Sequence, residues 1–260
     1  MTTLREDRPL PGVLRLTLDG EETLNALDAE AKESLADTLR RIRIDRETRV
    51  VLITGAGRAF CSGGDIRGMG PRTTLDSVDR LTLGREIVES LQLLRKPVIA
   101  AVNGVAAGAG FNLALAADII IAKADAYFQA SFVRVGLLPD FGGTYQLTRQ
   151  VGLLRAKEIL LSARKVSAAE AHSLGIAAHV YDEGFQEHVL AYAERLARSA
   201  PAALGLTKML VNRASEGSLS EALDREVLGQ AVLSQTRDHR TAVTAFLTKQ
   251  PHQSLEFEGS

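Results

Sequence analysis

Pro97-Val98-Ile99-Ala100-Ala101-Val102-Asn103-Gly104-Val105-Ala106-Ala107-Gly108-Ala109-Gly110-Phe111-Asn112-Leu113 decides the architecture. Its first six residues form a continuous apolar run, the composition of a strand covered on both faces. A glycine-rich turn follows, and the small apolar stretch Gly108–Ala117 suits a buried helix. The same order recurs upstream. Val50-Val51-Leu52-Ile53-Thr54 reads as a buried strand ended by Gly55, and Gly55–Gly70, with six glycines, reads as a loop. Downstream, Ile119-Ile120-Ile121 reads as a third short buried strand. Val13–Leu18 alternates apolar and polar residues, as a half-buried strand does. Asp28–Ile44 has the spacing of an amphipathic helix with Asp28 as its N-cap, and Leu75–Leu94 is also helical. Strands alternating with helices predict a mostly parallel sheet with crossover helices.

From about residue 143 the pattern becomes helical. Ser167-Ala168-Ala169-Glu170 is a capping box and Gly175 a stop for the same helix. Further helical stretches cover 184–199, 201–214 and 219–235, and no internal repeat or low-complexity linker interrupts them. The fold class is therefore α/β, with a helical C-terminal part. Helices with apolar faces and no sheet left to cover predict self-association. Pro251–Ser260 is polar and is expected to be disordered.

Composition narrows the function. The chain has 260 residues and a formal net charge of −1, without the basic excess of a general nucleic-acid binder. The lone cysteine, Cys61, excludes a disulfide framework and a multi-cysteine zinc site. No apolar run approaches the ~20 residues that span a bilayer. Met1–Pro11 is polar with both charge signs, so the expectation is a protein of the reducing cytoplasm without membrane contact.

Several catalytic patterns fail. Gly55-Ala56-Gly57-Arg58-Ala59-Phe60 opens like a dinucleotide fingerprint, but its sixth position is Phe and no helix pattern starts there. There is no Walker A loop and no Gly-x-Ser-x-Gly elbow. The five histidines show no metal-ligand spacing, so no metal is expected. Cys61 reads as a small packed residue rather than a nucleophile. What remains is Ala59–Ile66, Asn103–Leu113 and Gly136–Thr144. The first two are glycine-rich turns after buried strands, where α/β proteins place ligands. Backbone N–H groups converging there could form an oxyanion hole. On spacing alone, Asp140 in the third segment is equally a helix N-cap ahead of Gly143-Thr144.

These three segments, with Leu24-Asn25-Ala26-Leu27 and Ala245-Phe246-Leu247-Thr248-Lys249, resemble the enoyl-CoA hydratase/isomerase (crotonase) superfamily over roughly residues 10–250. They look most like its 1,2-epoxyphenylacetyl-CoA isomerase and Δ3,Δ2-enoyl-CoA isomerase members. The resemblance implies a spiral of ββα units over residues 1–195 and a helical trimerisation region over 196–250. It also implies a homotrimer or a hexamer built of two trimers. The substrate is an acyl-CoA thioester, and no cofactor is implied beyond its coenzyme A moiety. Gly64 and Ala109 match the oxyanion-hole positions. Leu24, Ala26, Ser62, Asp65 and Ile66 fall where relatives contact coenzyme A, and Phe246 and Lys249 where a neighbouring subunit reaches it. Glu22 stands where many relatives carry a basic residue.

The departures from the family select the chemistry. Family hydratases use two glutamates, and this chain has Asn112 and Phe132 at those positions, neither able to transfer a proton. Asp140 stands where some isomerases carry their carboxylate. One acid serves a 1,3 proton shift as base and then acid, and apolar Leu137, Leu138 and Phe141 are expected to raise its pKa. Hydration remains the alternative, with Glu86 or Glu89 as candidate acids, and a non-catalytic acyl-CoA-binding protein is the third. Aryl-CoA dehalogenases of the superfamily pair such an aspartate with a tryptophan, and this chain has none. The walls of the acyl pocket are expected from Gly68–Leu83.

Overall fold

Two sheets take alternate strands of the chain in this computed structural model, which describes residues 1–65, 67, 70, 73–251 and 255–259. The larger sheet contains β1 (Thr3–Leu10), β2 (Val13–Asp19), β3 (Val50–Gly55), β5 (Val98–Val102), β7 (Ile119–Lys123) and β10 (His179–Tyr181), in that spatial order. The smaller sheet runs β4 (Ala59–Cys61), β6 (Val105–Ala107), β8 (Tyr127–Gln129) and β9 (Lys165–Ser167). Among the described residues only the β1–β2 and β8–β9 pairs are antiparallel. The chain therefore advances in ββα steps. β3 and β4 lead to α2 (Thr74–Leu93), and β5 and β6 lead to α3 (Ala109–Leu115). The first strand of each step joins the large sheet and the second joins the small one.

Burial explains the long strands. Alternate residues of β3 serve different cores. Val51 and Ile53 pack with α1 (Ala29–Ile42), α2 and the small sheet, while Val50 and Leu52 pack against Phe185, Val189 and Ala193 of α7 (Phe185–Ala197). A strand covered on both faces needs the unbroken apolar run that was read there. β2 is more buried than its alternation implies, because α7 also reaches that part of the sheet.

Other elements depart from the sequence reading. Asp28 does cap α1, accepting from the Ala31 N–H at 2.9 Å. Thr3–Leu10, read as a polar start, is an edge strand whose charged side chains face solvent. β4 lies within the segment read as a loop, and β9 and β10 within the part read as helical. Each has three residues, too few to show a period. The capping box at Ser167 is half made. Its hydroxyl accepts from the Glu170 N–H at 3.2 Å, but the Glu170 carboxylate pairs with Arg164 at 2.7 Å.

The remaining helices are α4 (Gly143–Val151), α5 (Leu153–Ser162), α6 (Ala168–Ser173), α8 (Pro201–Arg213), α9 (Leu219–Leu233) and α10 (Arg237–Leu247). α8 is tied to the core by Lys208, whose Nζ lies 2.7 Å from Asp118 and donates to the Leu91 carbonyl at 2.7 Å. The tail, expected to be disordered, packs Leu255 and Phe257 against Ala245, and Asp238 accepts from the Glu258 and Gly259 N–H groups. Two apolar residues and the Asp238 carboxylate are enough to dock residues 255–259. No helix among the described residues is long and apolar enough to cross a membrane.

Asn25 joins the first connection to the strand ends. It is fully buried with φ +60°, and its amide donates to the Ala56 and Ala59 carbonyls at 2.9 and 2.7 Å. Its Oδ1 accepts from the Gly20 N–H at 2.9 Å. Asn25→Ala leaves the Gly20 N–H and the Ala56 carbonyl without this partner, removes one of two donors to the Ala59 carbonyl, and puts a less tolerant residue in the left-handed region. Urea denaturation is expected to show a loss of about 3 kcal/mol. A loss below about 1 kcal/mol would contradict this account of the connection.

Candidate active site

β4, β6 and β8 end at Cys61, Ala107 and Gln129, and their parallel registers place Cys61 beside Ala106 and Ala107 beside Gln129. The segments that follow, 62–64, 108–112 and 130–132, therefore emerge side by side at one sheet edge, where parallel strands present ligand sites. Residues of all three border one cavity of about 1090 Å³.

Backbone donors come first. Leu27 forms a parallel bridge to Gly64, its N–H donating to the Gly63 carbonyl at 2.7 Å and its carbonyl accepting from the Asp65 N–H at 3.3 Å. These bonds use the residues flanking Gly64, so the Gly64 N–H points away from Leu27. Ala109 is the first residue of α3, where an N–H has no acceptor within the helix. Among the described residues no backbone carbonyl accepts from either N–H. Gly63 lets the two loops touch. Its φ is +106°, and a Cβ there would stand 2.8 Å from the Ala107 carbonyl oxygen. Two such N–H groups facing one cavity can stabilise a developing oxyanion.

Asp140 opens a tight turn. Its carbonyl accepts from the Gly143 N–H at 3.0 Å, and Phe141 and Gly142 have φ values of +47° and +70°. Positive φ at both central positions is the type I′ pattern, unusual for a phenylalanine. Asn112 holds the turn, its Nδ2 donating to the Asp140 carbonyl at 2.8 Å. The approach is close enough that a Cβ on Gly143 would lie 2.3 Å from the Asn112 side chain. Asn112, where the resemblance implies a glutamate in hydratases, here anchors the backbone of Asp140.

The Asp140 side chain is not an N-cap. Gly142 occupies that position for α4, with no side-chain capping bond. Instead Asp140 Oδ1 is buried in the cavity wall without a hydrogen-bond partner among the described residues. Burial pushes its carboxyl above the usual carboxylate range. The positive charges of Lys32 and Arg80 and its own N–H pull it back. Of the three apolar residues expected around it, all line the cavity but only Phe141 is buried, and Leu138 is 77% exposed. Phe132 is buried beside the cavity and adds a second aromatic wall.

Other sequence candidates fall into groups. Leu24, Ala26, Ser62 and Asp65 lie on two hydrogen-bonded segments, of which only Ser62 borders the cavity. The Ser62 N–H donates to the Leu24 carbonyl at 2.9 Å and its hydroxyl to the Thr23 carbonyl at 2.8 Å. Ala26 is buried, and Asp65 pairs with Arg67, which lowers its pKa. Ile66 lies outside the described residues. Phe246, 84% exposed, and Lys249 stand at the end of α10 and do not border the cavity. Glu86 faces Arg40 at 2.6 Å, away from the cavity, whereas Glu89 borders it and pairs with Arg85 at 2.7 Å. Burial pushes the Cys61 thiol up to about 12, so it is inert at neutral pH. Of the expected wall region, Arg80 and Leu81 border the cavity, and Gly68 lies outside the described residues.

Among the charged residues at the cavity, Lys32 escaped the sequence reading, and Arg80 entered it only as part of the expected wall region, with no role of its own. Lys32 lies on the buried stripe of α1, three residues before Leu35, and Arg80 lies four before Gly84 on the buried stripe of α2. A cation at helical spacing within an apolar stripe was the available signal.

Comparison with known proteins gives the same architecture. Residues 10–256 match the family model described as Enoyl-CoA hydratase/isomerase. A probable enoyl-CoA hydratase of Rhodobacter capsulatus is 42% identical, over 92% of this chain and 93% of its own. The 1,2-epoxyphenylacetyl-CoA isomerase of Escherichia coli is 40% identical, over 93% of this chain and 94% of its own. The crystal structure of an enoyl-CoA hydratase from Bacillus anthracis superposes with a TM-score of 0.94 at 30% identity, covering 99% of each chain. With its paired strands, its cavity at their ends and a match over nearly its full length, the chain belongs to the enoyl-CoA hydratase/isomerase family of the crotonase superfamily.

Proposed function

We propose that this family member is an acyl-CoA isomerase, shifting a double bond or rearranging a ring epoxide through a thioester enolate with Asp140 as the single proton carrier. One observation carries the reading. Asp140, with its buried Oδ1 unpartnered among the described residues, shares a cavity with Gly64 and Ala109, and the resemblance implies that Asn112 and Phe132 replace the two hydratase glutamates. In a 3-enoyl thioester, Asp140 takes the proton from C2. The C2–H electron pair becomes the C1–C2 double bond of a dienolate, and the carbonyl pair moves onto the thioester oxygen, which the Gly64 and Ala109 N–H groups hold. Asp140 returns the proton to C4, leaving a C2–C3 double bond and no change in mass. A carboxyl raised toward neutrality serves both halves of this transfer.

The coenzyme A moiety is assigned to the segments that carry Leu24, Ala26, Ser62 and Asp65, with Ile66 added from the sequence resemblance alone and Phe246 and Lys249 contributed from a neighbouring copy. Exposed apolar side chains on α9 and α10, among them Leu223, Val227 and Leu247, support a homotrimer or hexamer. The relative described as an epoxyphenylacetyl-CoA isomerase supports isomerisation. The hydratase descriptions of relatives at 42% and 34% identity favour hydration as a second reading, with Glu89 the acid at the cavity.

Mass spectrometry in ¹⁸O-labelled water separates them. A 3-enoyl-CoA is expected to give a conjugated product of unchanged mass. Gain of labelled water by a 2-enoyl-CoA, without isomerisation of the 3-enoyl ester, would refute the proposal. Asp140→Asn is expected to lower kcat by about 10²–10⁴ with ester binding retained.

The pH dependence has a definite sign. Only ionised Asp140 accepts the C2 proton, so kcat/KM falls as pH drops through its raised pKa. The acidic limb is expected above the ordinary aspartate value of about 3.9. Because folding raises this pKa, the folded state is penalised when the group ionises, and the penalty vanishes at low pH. Asp140→Asn should therefore raise Tm at pH 7–8 by roughly 2–4 °C, for about 1 kcal/mol, with a smaller gain at pH 4. Equal gains at both pH values in thermal melts would contradict the burial argument.

A further inference from the structure

The cavity wall holds two cations that a proton shuttle does not require. Arg80 stands on the α2 stripe that continues through Gly84, against which the Phe141 ring packs. Its Nε is buried and has no hydrogen-bond partner among the described residues. Its charge acts on Asp140, and among the described residues no ion pair within 4 Å joins the two. Lys32 approaches the same place from α1. It is 4% exposed, and its Nζ lies 5.8 Å from the centre of the Phe141 ring.

The other cations at this cavity are differently engaged. Arg85 pairs with Glu89 at 2.7 Å, and Arg149 donates to the Tyr145 hydroxyl at 2.7 Å. Among the described lining residues five are lysine or arginine and three are aspartate or glutamate, a surplus of positive charge on the cavity wall. A purely hydrocarbon acyl chain gains nothing from this. Burying it against a guanidinium leaves donors unsatisfied, at about 1–3 kcal/mol each. The planar guanidinium fork suits a carboxylate, which it binds through two parallel hydrogen bonds.

We propose that the acyl pocket selects thioesters whose acyl group carries a second anionic oxygen function, in its simplest form a carboxylate, received by Arg80 within the positive field of Lys32. The inference rests on reading the cavity as an acyl-CoA site and is independent of the isomerase chemistry.

Equilibrium binding tests it without turnover. Adipoyl-CoA and hexanoyl-CoA share a chain length and differ by the terminal carboxylate, and neither has a double bond to move. Calorimetry on the full chain at pH 7.5 is expected to find adipoyl-CoA bound about tenfold more tightly, the gain of one charge-assisted contact. Arg80→Met is expected to shrink the preference to less than about threefold and to leave the affinity for free coenzyme A unchanged. Hexanoyl-CoA binding as tightly as adipoyl-CoA to the unmodified protein overturns the proposal, whatever the variant does. Equal weakening of free coenzyme A and adipoyl-CoA in Arg80→Met also overturns it, since Arg80 would then serve the phosphates. Failure of the isomerase reading appears only in the labelled-water assay, so the two are separable. Absence of binding by every ester and by coenzyme A overturns both.

Discussion

The parallel pairing of β4, β6 and β8 is the constraint on which the site depends. Each strand has three residues, and each releases the chain into a site segment at the same edge. A register slip of one residue in this small sheet would turn side chains to the opposite face and separate Gly63 from Ala109. So short a sheet does not hold its own register. It is held by the larger sheet, whose strands alternate with it along the chain, and by Asn25, which bonds to carbonyls on both sides of β4's start.

How the chain could be read follows from this division of labour. β3, β5 and β7 announce themselves, because a strand covered on both faces must be apolar throughout. β4 and β6 are hidden in glycine-rich segments, where small residues serve close loop contact and leave no periodic signature. β1 is hidden for the opposite reason, since an edge strand with charged side chains looks like a polar terminus. Within the site, Gly64, Ala109 and Asp140 stood out through motifs that resemble a known family. Lys32 and Arg80 did not, because a charged residue on a helix is ordinarily a solvated one. Only three-dimensional packing shows that their stripes face inward.

The environment of Asp140 is a balance rather than a simple apolar pocket. Phe132 and Phe141 remove water from one side, Leu137 and Leu138 leave the other partly open, and two cations oppose the effect of burial. The turn that carries it is held by its main chain. Asn112 and the Gly143 N–H both bond to the carbonyl of Asp140, and the strained backbone at Phe141 is fixed with it.

The alternate threading of strands between two sheets also orders events during synthesis and folding. The large sheet receives its last strand from residues 179–181, while its first pair comes from residues 3–19. The small sheet likewise waits for residues 165–167. Neither sheet can finish without the other being threaded at the same time, and most pairings join residues far apart in the chain. Such a topology carries a high loop-closure cost before its contacts form, so it favours slow folding with both sheet edges exposed until β9 and β10 have emerged.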